Sequence, residues 1–137
     1  MTHINAYLNF NGHTRDAMTF YKECLGGELV MQKVAESPMA AQMPSEMGNK
    51  ILHSSLTSKG LVLMASDMLG NGIVAGNNVM LCINCSSEEE IRNFYTTLSA
   101  GGEQTHPLEV SFWGALFGDL TDKFGNHWLL HFDKTRQ

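Results

Sequence analysis

The chain contains the same short sequence twice, and this repeat restricts its fold more than any other feature. Residues 20–28 read FYKECLGGE, and residues 94–103 read FYTTLSAGGE. An aromatic pair, a short amphipathic run, Gly-Gly and Glu recur in the same order within 137 residues. Such a recurrence is hard to reach by chance, so we predict that the chain is an internal duplication of one structural unit.

Both copies have the spacing of an amphipathic helix, with apolar residues at i, i+3, i+4 and i+7. In the first copy these residues are Ala17, Phe20, Tyr21 and Cys24. In the second copy they are Ile91, Phe94, Tyr95 and Leu98. We therefore predict helices near 14–25 and 88–100, each with its FY pair on the buried face.

The Gly-Gly pairs mark the ends of the two predicted helices, because glycine commonly ends a helix. They lie at Gly26-Gly27 and Gly101-Gly102. Ser87 with Glu90 forms a candidate capping box at the start of the second helix. The second helix therefore has both a start and a stop signal.

Strand-like runs surround each helix. One run precedes each helix, at 4–10 and at 79–84. After the helices, LTSKGLVLMASD (56–67) resembles LTDKFGNHWLLHFD (120–133), and both read as a strand end, a hairpin turn with Gly, an apolar strand and Asp. The two halves therefore match before and after their helices.

Each half reads strand, helix, strand, strand, strand, with the middle strands near 30–35 and 104–110 the weakest in pattern. The glycines and asparagines of LGNGIVAGNN suit a linker. We predict one domain, 1–137, with unit one at about 1–68, the linker at 69–78 and unit two at about 79–137. The fold class is α+β, with two tandem βαβββ units.

The predicted architecture leaves one face of each sheet without a helix. A single helix covers only one face of a four-stranded sheet, and the other face must be buried by something else. Two units can curl these faces around a shared cavity, which is a natural place for a small ligand. We therefore expect a ligand-binding cavity between the units.

Composition excludes several classes of partner. The chain is 43% hydrophobic and carries a net charge of -5, with no cluster of Lys and Arg. Nucleic acid and acidic membrane surfaces are therefore poor partners. The N-terminus MTHINAYLNF has no secretory pattern, and no run reaches the length of a membrane span. We expect a cytoplasmic protein.

The three cysteines, Cys24, Cys82 and Cys85, are an odd number without a disulfide pattern, which suits a reducing compartment. Cys82 and Cys85 form C-I-N-C, the spacing of a redox motif. Glu88, Glu89 and Glu90 follow and would raise the pKa of these thiols rather than lower it. We favour structural roles for both, as a strand residue and a residue at the helix entry, over redox or zinc chemistry.

The longest motif of the chain lies in its second half. The run FWGALFGDLTDKFGNHW (112–128) matches the pattern F-W-x3-F-G-x3-D-x-F-G-x2-W of PhnB-like proteins. AYLNFNG, AMTFYKECLGGEL and LVLMASD also resemble this branch. The chain resembles, over nearly its whole length, the PhnB-like branch of the vicinal oxygen chelate superfamily, the glyoxalase and bleomycin-resistance fold.

This resemblance implies four positions for metal ligands, which are His, Gln or Glu in the members that use a metal. Here they fall on Asn5, Met64, Val79 and Leu129. The duplication favours the same alignment, because Asn5 and Val79 lie in equivalent first strands, and Met64 and Leu129 each lie four residues beyond a hairpin glycine. Three of the four side chains suit no hard divalent ion. We expect no metal and no other cofactor.

Histidines offer a second set of candidate metal ligands. His127 and His131 share a strand face but stand about 13 Å apart along the strand, too far to bind one ion together. His3 and His53 with one of these two could converge if the alignment is shifted by two residues. This set is the basis of an alternative, metal-dependent function.

Other residues are candidates for contact with an organic ligand. Tyr7 alternates with Asn5 and Asn9 opposite an apolar set, so it is expected to face the cavity. His53 lies inside a strand, where it is either a structural residue or a group that orients a polar ligand. Phe112 and Trp113, at the start of a strand, are either ligand anchors or core.

The full set of predicted ligand-binding residues combines these candidates with the positions implied by the resemblance: Asn5, Tyr7, His53, Met64, Phe112, Trp113, His127 and Leu129. Met39, Met43 and Met47 lie beside Pro44 and Gly48, so a stable helix is not expected there. This Met-rich segment is either an adaptable lid over the pocket or a surface loop.

These features predict a metal-free protein that binds an apolar or aromatic compound and acts as a homodimer. The alternative is a metal-dependent lyase, isomerase or dioxygenase with nonstandard ligands, and a third possibility is a purely structural domain. Relatives of this branch often carry the label of a 3-demethylubiquinone-9 3-methyltransferase. The sequence gives that label no support, because no strand is followed by the glycine-rich turn and acidic residue of a Rossmann-like site.

Overall fold

A computed structural model describes residues 2–133 as two units that divide between Val74 and Ala75. Unit one contains β1 (Ala6–Asn9), α1 (Thr14–Leu25), β2 (Glu28–Lys33), β3 (Ile51–Ser58) and β4 (Leu61–Ser66). Unit two contains β5 (Leu81–Asn84), α2 (Glu88–Leu98), β6 (Glu103–Val110), β7 (Ala115–Thr121) and β8 (His127–Asp133). The predicted helices and the two βαβββ units are confirmed.

The two sheets have the same topology. Their strand orders are β1-β4-β3-β2 and β5-β8-β7-β6, with the first strand of each unit parallel to its last and the other neighbours antiparallel. Each unit is therefore a mixed sheet built by one connectivity. The internal duplication read from the sequence is a structural one.

In each unit the helix packs on one face of its own sheet. Tyr21 and Tyr95 are buried on α1 and α2, and Phe20 and Phe94 are half-buried beside them. The core of unit one includes Ala17, Met18, Leu56, Leu63 and Ala65, and that of unit two includes Ile91, Leu98, Leu120, Trp128 and Leu130. The repeated aromatic pair therefore anchors each helix to its sheet.

The Gly-Gly pairs have two separate structural reasons. Gly26 and Gly101 have φ angles of 75° and 79°, which residues with a side chain rarely adopt. A Cβ on Gly27 would lie 2.4 Å from the carbonyl oxygen of Thr57, and one on Gly102 would lie 2.2 Å from that of Thr121. The first glycine permits the turn, and the second permits close approach to the neighbouring strand.

The register of the ladders tests the alignment of the two halves. Met64 lies opposite Tyr7, the second residue of β1, and Leu129 lies opposite Cys82, the second residue of β5. Met64 and Leu129 are therefore equivalent, as predicted. The same register makes Met80 the counterpart of Asn5, so the alignment of Asn5 with Val79 was wrong by one residue. The two loops before the helices differ in length, which shifted the alignment.

Three other sequence readings need correction. The first strand begins at Ala6 rather than Ile4. The final Asp of the second echo is not equivalent in the two halves, because the ladder aligns Ser66 with His131 and hence Asp67 with Phe132. Phe112 and Trp113 lie in the turn between β6 and β7, not in a strand. Similar sequences in the two halves therefore do not always place their residues at equivalent positions.

The connections contain only short 3₁₀ turns. Between β2 and β3 these turns cover Val34–Glu36, Pro38–Gln42 and Ser45–Met47, so the Met-rich segment forms no α-helix. One more turn, Gly70–Gly72, lies in the predicted linker. Within residues 2–133, neither helix has the length and apolar character needed to cross a membrane.

Candidate functional site

Each sheet has a face opposite its own helix, called here the open face. In unit one this face carries Tyr7 and Met64, which are cross-strand partners, together with His53. The rings of Tyr7 and His53 lie with their centroids 6.0 Å apart. Tyr7 is 48% exposed, and His53 is exposed as well. The structure thus brings together three residues that the sequence proposed separately, with Asn5 half-buried just before β1.

On unit two the open face carries His127 and Leu129, both half-buried. The two nitrogens of His127 have different partners: Nδ1 lies 2.9 Å from the Thr121 hydroxyl, and Nε2 lies 3.1 Å from the Gly76 carbonyl oxygen. Since a carbonyl only accepts, Nε2 carries a proton, and in the neutral ring Nδ1 then accepts from Thr121. His127 is therefore held in one orientation by its own unit.

The turn between β6 and β7 presents an aromatic cluster, defined here as Phe112, Trp113 and Phe117. The ring centroids of Phe112 and Trp113 are 4.8 Å apart with the planes nearly perpendicular, and those of Trp113 and Phe117 are 5.5 Å apart. Phe112 is 99% exposed and Trp113 is 48% exposed. The prediction that Phe112 is a core residue is therefore wrong. The other prediction, that these residues contact a ligand, stays a prediction.

Sequence reasoning missed a histidine-carboxylate pair on the open face of unit two. His106 of β6 lies opposite Asp119 of β7, and its Nδ1 is 3.0 and 2.9 Å from the two carboxylate oxygens. All but one of the residues of β6 are exposed, so the strand shows no alternation that would have marked His106. The one available signal was Asp119, a carboxylate within the otherwise apolar run of β7.

The cysteine environments oppose redox chemistry. Burial, the nearby Glu90 and Cys82 raise the pKa of the Cys85 thiol to about 12, although a hydrogen bond from the His131 backbone has the opposite effect. Burial also raises the pKa of Cys82. The thiolate is the nucleophile and the metal ligand, and neither environment favours it. The structural interpretation of C-I-N-C is favoured.

The positions at which the superfamily places metal ligands do not fit a divalent ion here. With the corrected register they hold Asn5, Met64, Met80 and Leu129, of which only the first offers an oxygen donor. Across residues 2–133, no group of three or more His, Cys, Asp and Glu side chains is arranged to hold a metal ion. His3, His53, His127 and His131 are among the residues that form no such group.

Comparison with known proteins gives consistent results. The sequence profile of the family described as 3-demethylubiquinone-9 3-methyltransferase matches residues 2–131. The chain is 30% identical to Protein YjdN of Escherichia coli, over 93% of each chain. It is also similar to the crystal structure of protein PA1353 from Pseudomonas aeruginosa, with 32% identity, a TM-score of 0.83 and coverage of 97% of this chain and 98% of that one.

Two further structures relate the chain to a wider group. A protein from Bacillus cereus described as a putative 3-demethylubiquinone-9 3-methyltransferase, PhnB protein, shares 25% identity at a TM-score of 0.76, with coverage of 96% and 99%. A glyoxalase/bleomycin resistance protein from Albidiferax ferrireducens shares the fold at 16% identity and a TM-score of 0.63, with coverage of 93% and 96%.

Proposed function

Since the chain belongs to the family described as 3-demethylubiquinone-9 3-methyltransferase, as a PhnB-like member of the vicinal oxygen chelate superfamily, we propose that it binds a small organic molecule without a metal. The ligand is apolar or aromatic. It contacts the ligand-binding residues predicted from the sequence, which lie on or beside the open faces of the sheets and, for Phe112 and Trp113, in the turn between β6 and β7. The shared cavity between the units stays a prediction.

One observation carries this proposal: Tyr7, His53 and Met64 lie together on the open face of unit one. Two ring systems 6.0 Å apart and a flexible thioether form a surface that suits an aromatic guest. The imidazole adds a polar group that can orient such a guest. Few convergent polar groups within an apolar surface are typical of small-molecule sites.

The proposal does not include methyl transfer, although the family description names it. Each unit is a mixed sheet with a single helix, not the doubly wound parallel sheet whose glycine-rich turn binds nucleotide cofactors. A metal-dependent enzyme is the alternative function. The chain offers such an enzyme few metal ligands, because Met64, Met80 and Leu129 occupy three of the four positions expected to bind the ion.

A thermal-shift screen of hydrophobic aromatic compounds tests the proposal. A compound that binds only the folded state raises the melting temperature, and a concentration of 100 times Kd stabilises by about 2.7 kcal/mol. Tyr7→Ala should reduce the rise, because it removes the ring that faces His53. Val74→Ala, at an exposed apolar position outside the sheets, is the matched control and should keep the rise.

The same thermal-shift assay distinguishes the metal-dependent enzyme from the metal-free binding protein. Zinc, nickel and manganese should leave the melting temperature unchanged in protein purified without chelator. A stoichiometric metal that survives dialysis, or a metal-dependent rise that His53→Ala abolishes, would favour the enzyme. If no compound in a broad aromatic set raises the melting temperature, the binding function is wrong.

The proposal also includes a homodimer and a cytoplasmic location. Strands β1 and β2 form the edges of the sheet of unit one, β5 and β6 form those of the sheet of unit two, and such edges invite pairing between subunits. Three free thiols support a reducing compartment. Light scattering at tens of micromolar should give twice the chain mass of 15.2 kDa, and a monomer mass would contradict the dimer.

A further inference from the structure

The His106–Asp119 pair has the form of a base held by a carboxylate. The Asp119 side chain is 17% exposed, whereas that of His106 is 74% exposed. An ionised carboxylate only accepts hydrogen bonds, so Nδ1 of His106 carries the proton that it donates to Asp119. In the neutral ring, Nε2 is left as an acceptor. The pair therefore fixes one tautomer and presents a lone pair on the open face.

The local backbone is built to hold His106 in this place. Between Glu103 and His106 strand β6 advances three residues while β7 advances two, and the same irregularity recurs between His106 and Glu109. Pro107, which has no N–H for a ladder, lies in the second irregularity. Bulges of this kind redirect side chains and are common beside functional sites.

Two residues on the other side of the sheet support the bulge. A Cβ on Gly118 would lie 2.9 Å from the carbonyl oxygen of His106, so glycine permits the close approach of β6. The Tyr95 hydroxyl donates to the carbonyl oxygens of His106 and Asp119, at 2.7 and 3.3 Å. Burial and the Asp119 charge raise the pKa of Tyr95, so this donor keeps its proton.

At the equivalent place of unit one, the described chain has neither the histidine-carboxylate pair nor the bulges. In unit one, Val30, Ser55 and Met64 lie side by side on β2, β3 and β4. In unit two, the equivalent positions on β6, β7 and β8 hold His106, Asp119 and Leu129. The β2–β3 ladder keeps a regular register through Val30. The duplication alone therefore does not explain the pair, which is specific to unit two.

The surroundings indicate what kind of molecule would meet Nε2. Phe117 precedes Asp119 by two residues on the same strand face, about 7 Å along the strand. Its ring contacts Trp113. A guest that stacks on this cluster and reaches His106 would be aromatic and would carry a hydrogen-bond donor.

We propose that His106 and Asp119 form a proton-accepting site for an aromatic hydroxyl compound, a phenol. The O–H bond of the phenol breaks, its proton binds the lone pair of Nε2 of His106, and the oxygen keeps the electron pair as a phenolate. The Asp119 carboxylate stabilises the imidazolium that forms, and the phenolate stays paired with it. This inference rests on the proposed binding function and names the class of its ligand.

The test compares 4-nitrophenol with 4-nitroanisole, which has the same ring but no O–H. Calorimetry at a pH where the free phenol is mostly protonated should show binding of 4-nitrophenol about tenfold tighter than that of the ether. The visible band of the phenolate should appear on binding. His106→Gln should remove both the preference and the band, while Asp119→Asn should weaken them.

Glu103→Gln is the matched control, because it removes a charge from the same strand at a position opposite Thr121, away from the aromatic cluster, and should keep the preference. Nitrogen-15 NMR of the free protein should show His106 as a single tautomer with a protonated Nδ1. In Asp119→Asn the His106 ring should instead be a mixture of the two tautomers. Equal affinity for the two compounds would overturn the inference but leave the binding function intact. Absence of binding by both, or an unprotonated Nδ1, would also overturn it; the thermal-shift screen then decides the binding function separately.

Discussion

The two units share their connectivity but satisfy their helix N-termini in different ways. In unit one the N-cap residue His13 makes no side-chain capping bond within the described chain, and a distant carboxylate, Asp67, takes that role. In unit two the local Ser87 accepts a hydrogen bond from the Glu90 backbone, and the Glu90 side chain accepts one from the Ser86 backbone. The duplicated framework kept its apolar positions, and its polar contacts diverged.

Asp67 joins three segments of unit one. Its Oδ1 accepts from the Gly12 backbone and from the backbone and hydroxyl of Thr14, and its Oδ2 accepts from the Ile51 backbone. Only 3% of the residue is exposed. The buried carboxylate of unit two, Asp122, instead binds donors two to six residues away: the backbones of Phe124 and Asn126 and the Trp128 indole. One unit relies on a long-range polar contact where the other uses local ones.

The largest expected loss of stability follows from removing the Asp67 carboxylate. Asp67→Ala leaves four buried or half-buried donors without their acceptor, so we expect a loss of about 4 kcal/mol in the free energy of unfolding. Urea denaturation measures it, and amide exchange should speed up first at Gly12, Thr14 and Ile51. Asp16→Ala, which removes an exposed carboxylate from the first turn of α1, is the control and should cost about 0.5 kcal/mol. Equal losses in the two variants would show that Asp67 does not hold unit one together in the way described.

The second prediction concerns what the units share. Gly27→Ala and Gly102→Ala each push a methyl group into a carbonyl of the adjacent strand, and each should cost about 2 to 3 kcal/mol. The cost should be greater at Gly27, whose φ of 99° adds strain. Gly72→Ala meets only ordinary contacts and is the control. A tolerated alanine at either position would mean that the two helix ends are not built alike.

The smallest expected loss of stability follows from removing the local cap of α2, the Ser87 side chain. Ser87→Ala removes the acceptor for the Glu90 backbone and should cost about 1 kcal/mol. His13→Ala, at the corresponding position of α1, should cost close to nothing. Thermal unfolding of the two variants side by side measures the difference. A comparable loss for His13→Ala would show that α1 is capped locally after all.

The sequence was sufficient for the features that repeat. The spacing of apolar residues fixed both helices, because a buried helix face requires it, and Gly60 and Gly125 aligned Met64 with Leu129 correctly. Local patterns of this kind depend on backbone geometry that the residues themselves impose.

The same reading could not find contacts that depend on register. His106 meets Asp119 only because β6 bulges between His106 and Glu109, and nothing in EQTHPLEV states which strand it will pair with or where the ladder shifts. Asp67 was read as part of a repeated strand end, whereas its function depends on amides far away in sequence. Register and long-range polar pairing are properties of the assembled sheet.

The pairing of strands within each unit has a practical consequence. Because the last strand of a unit pairs with its first, β1 with β4 and β5 with β8, each hydrogen-bonded ladder begins and ends on the same side of the boundary between Val74 and Ala75. A protease nick at that boundary, or a gene split there, would sever one peptide bond and no strand pairing. The two polypeptides would each carry a complete set of partners for their own sheet, which makes this boundary the natural place to divide the chain for fragment complementation or isotope labelling of one half.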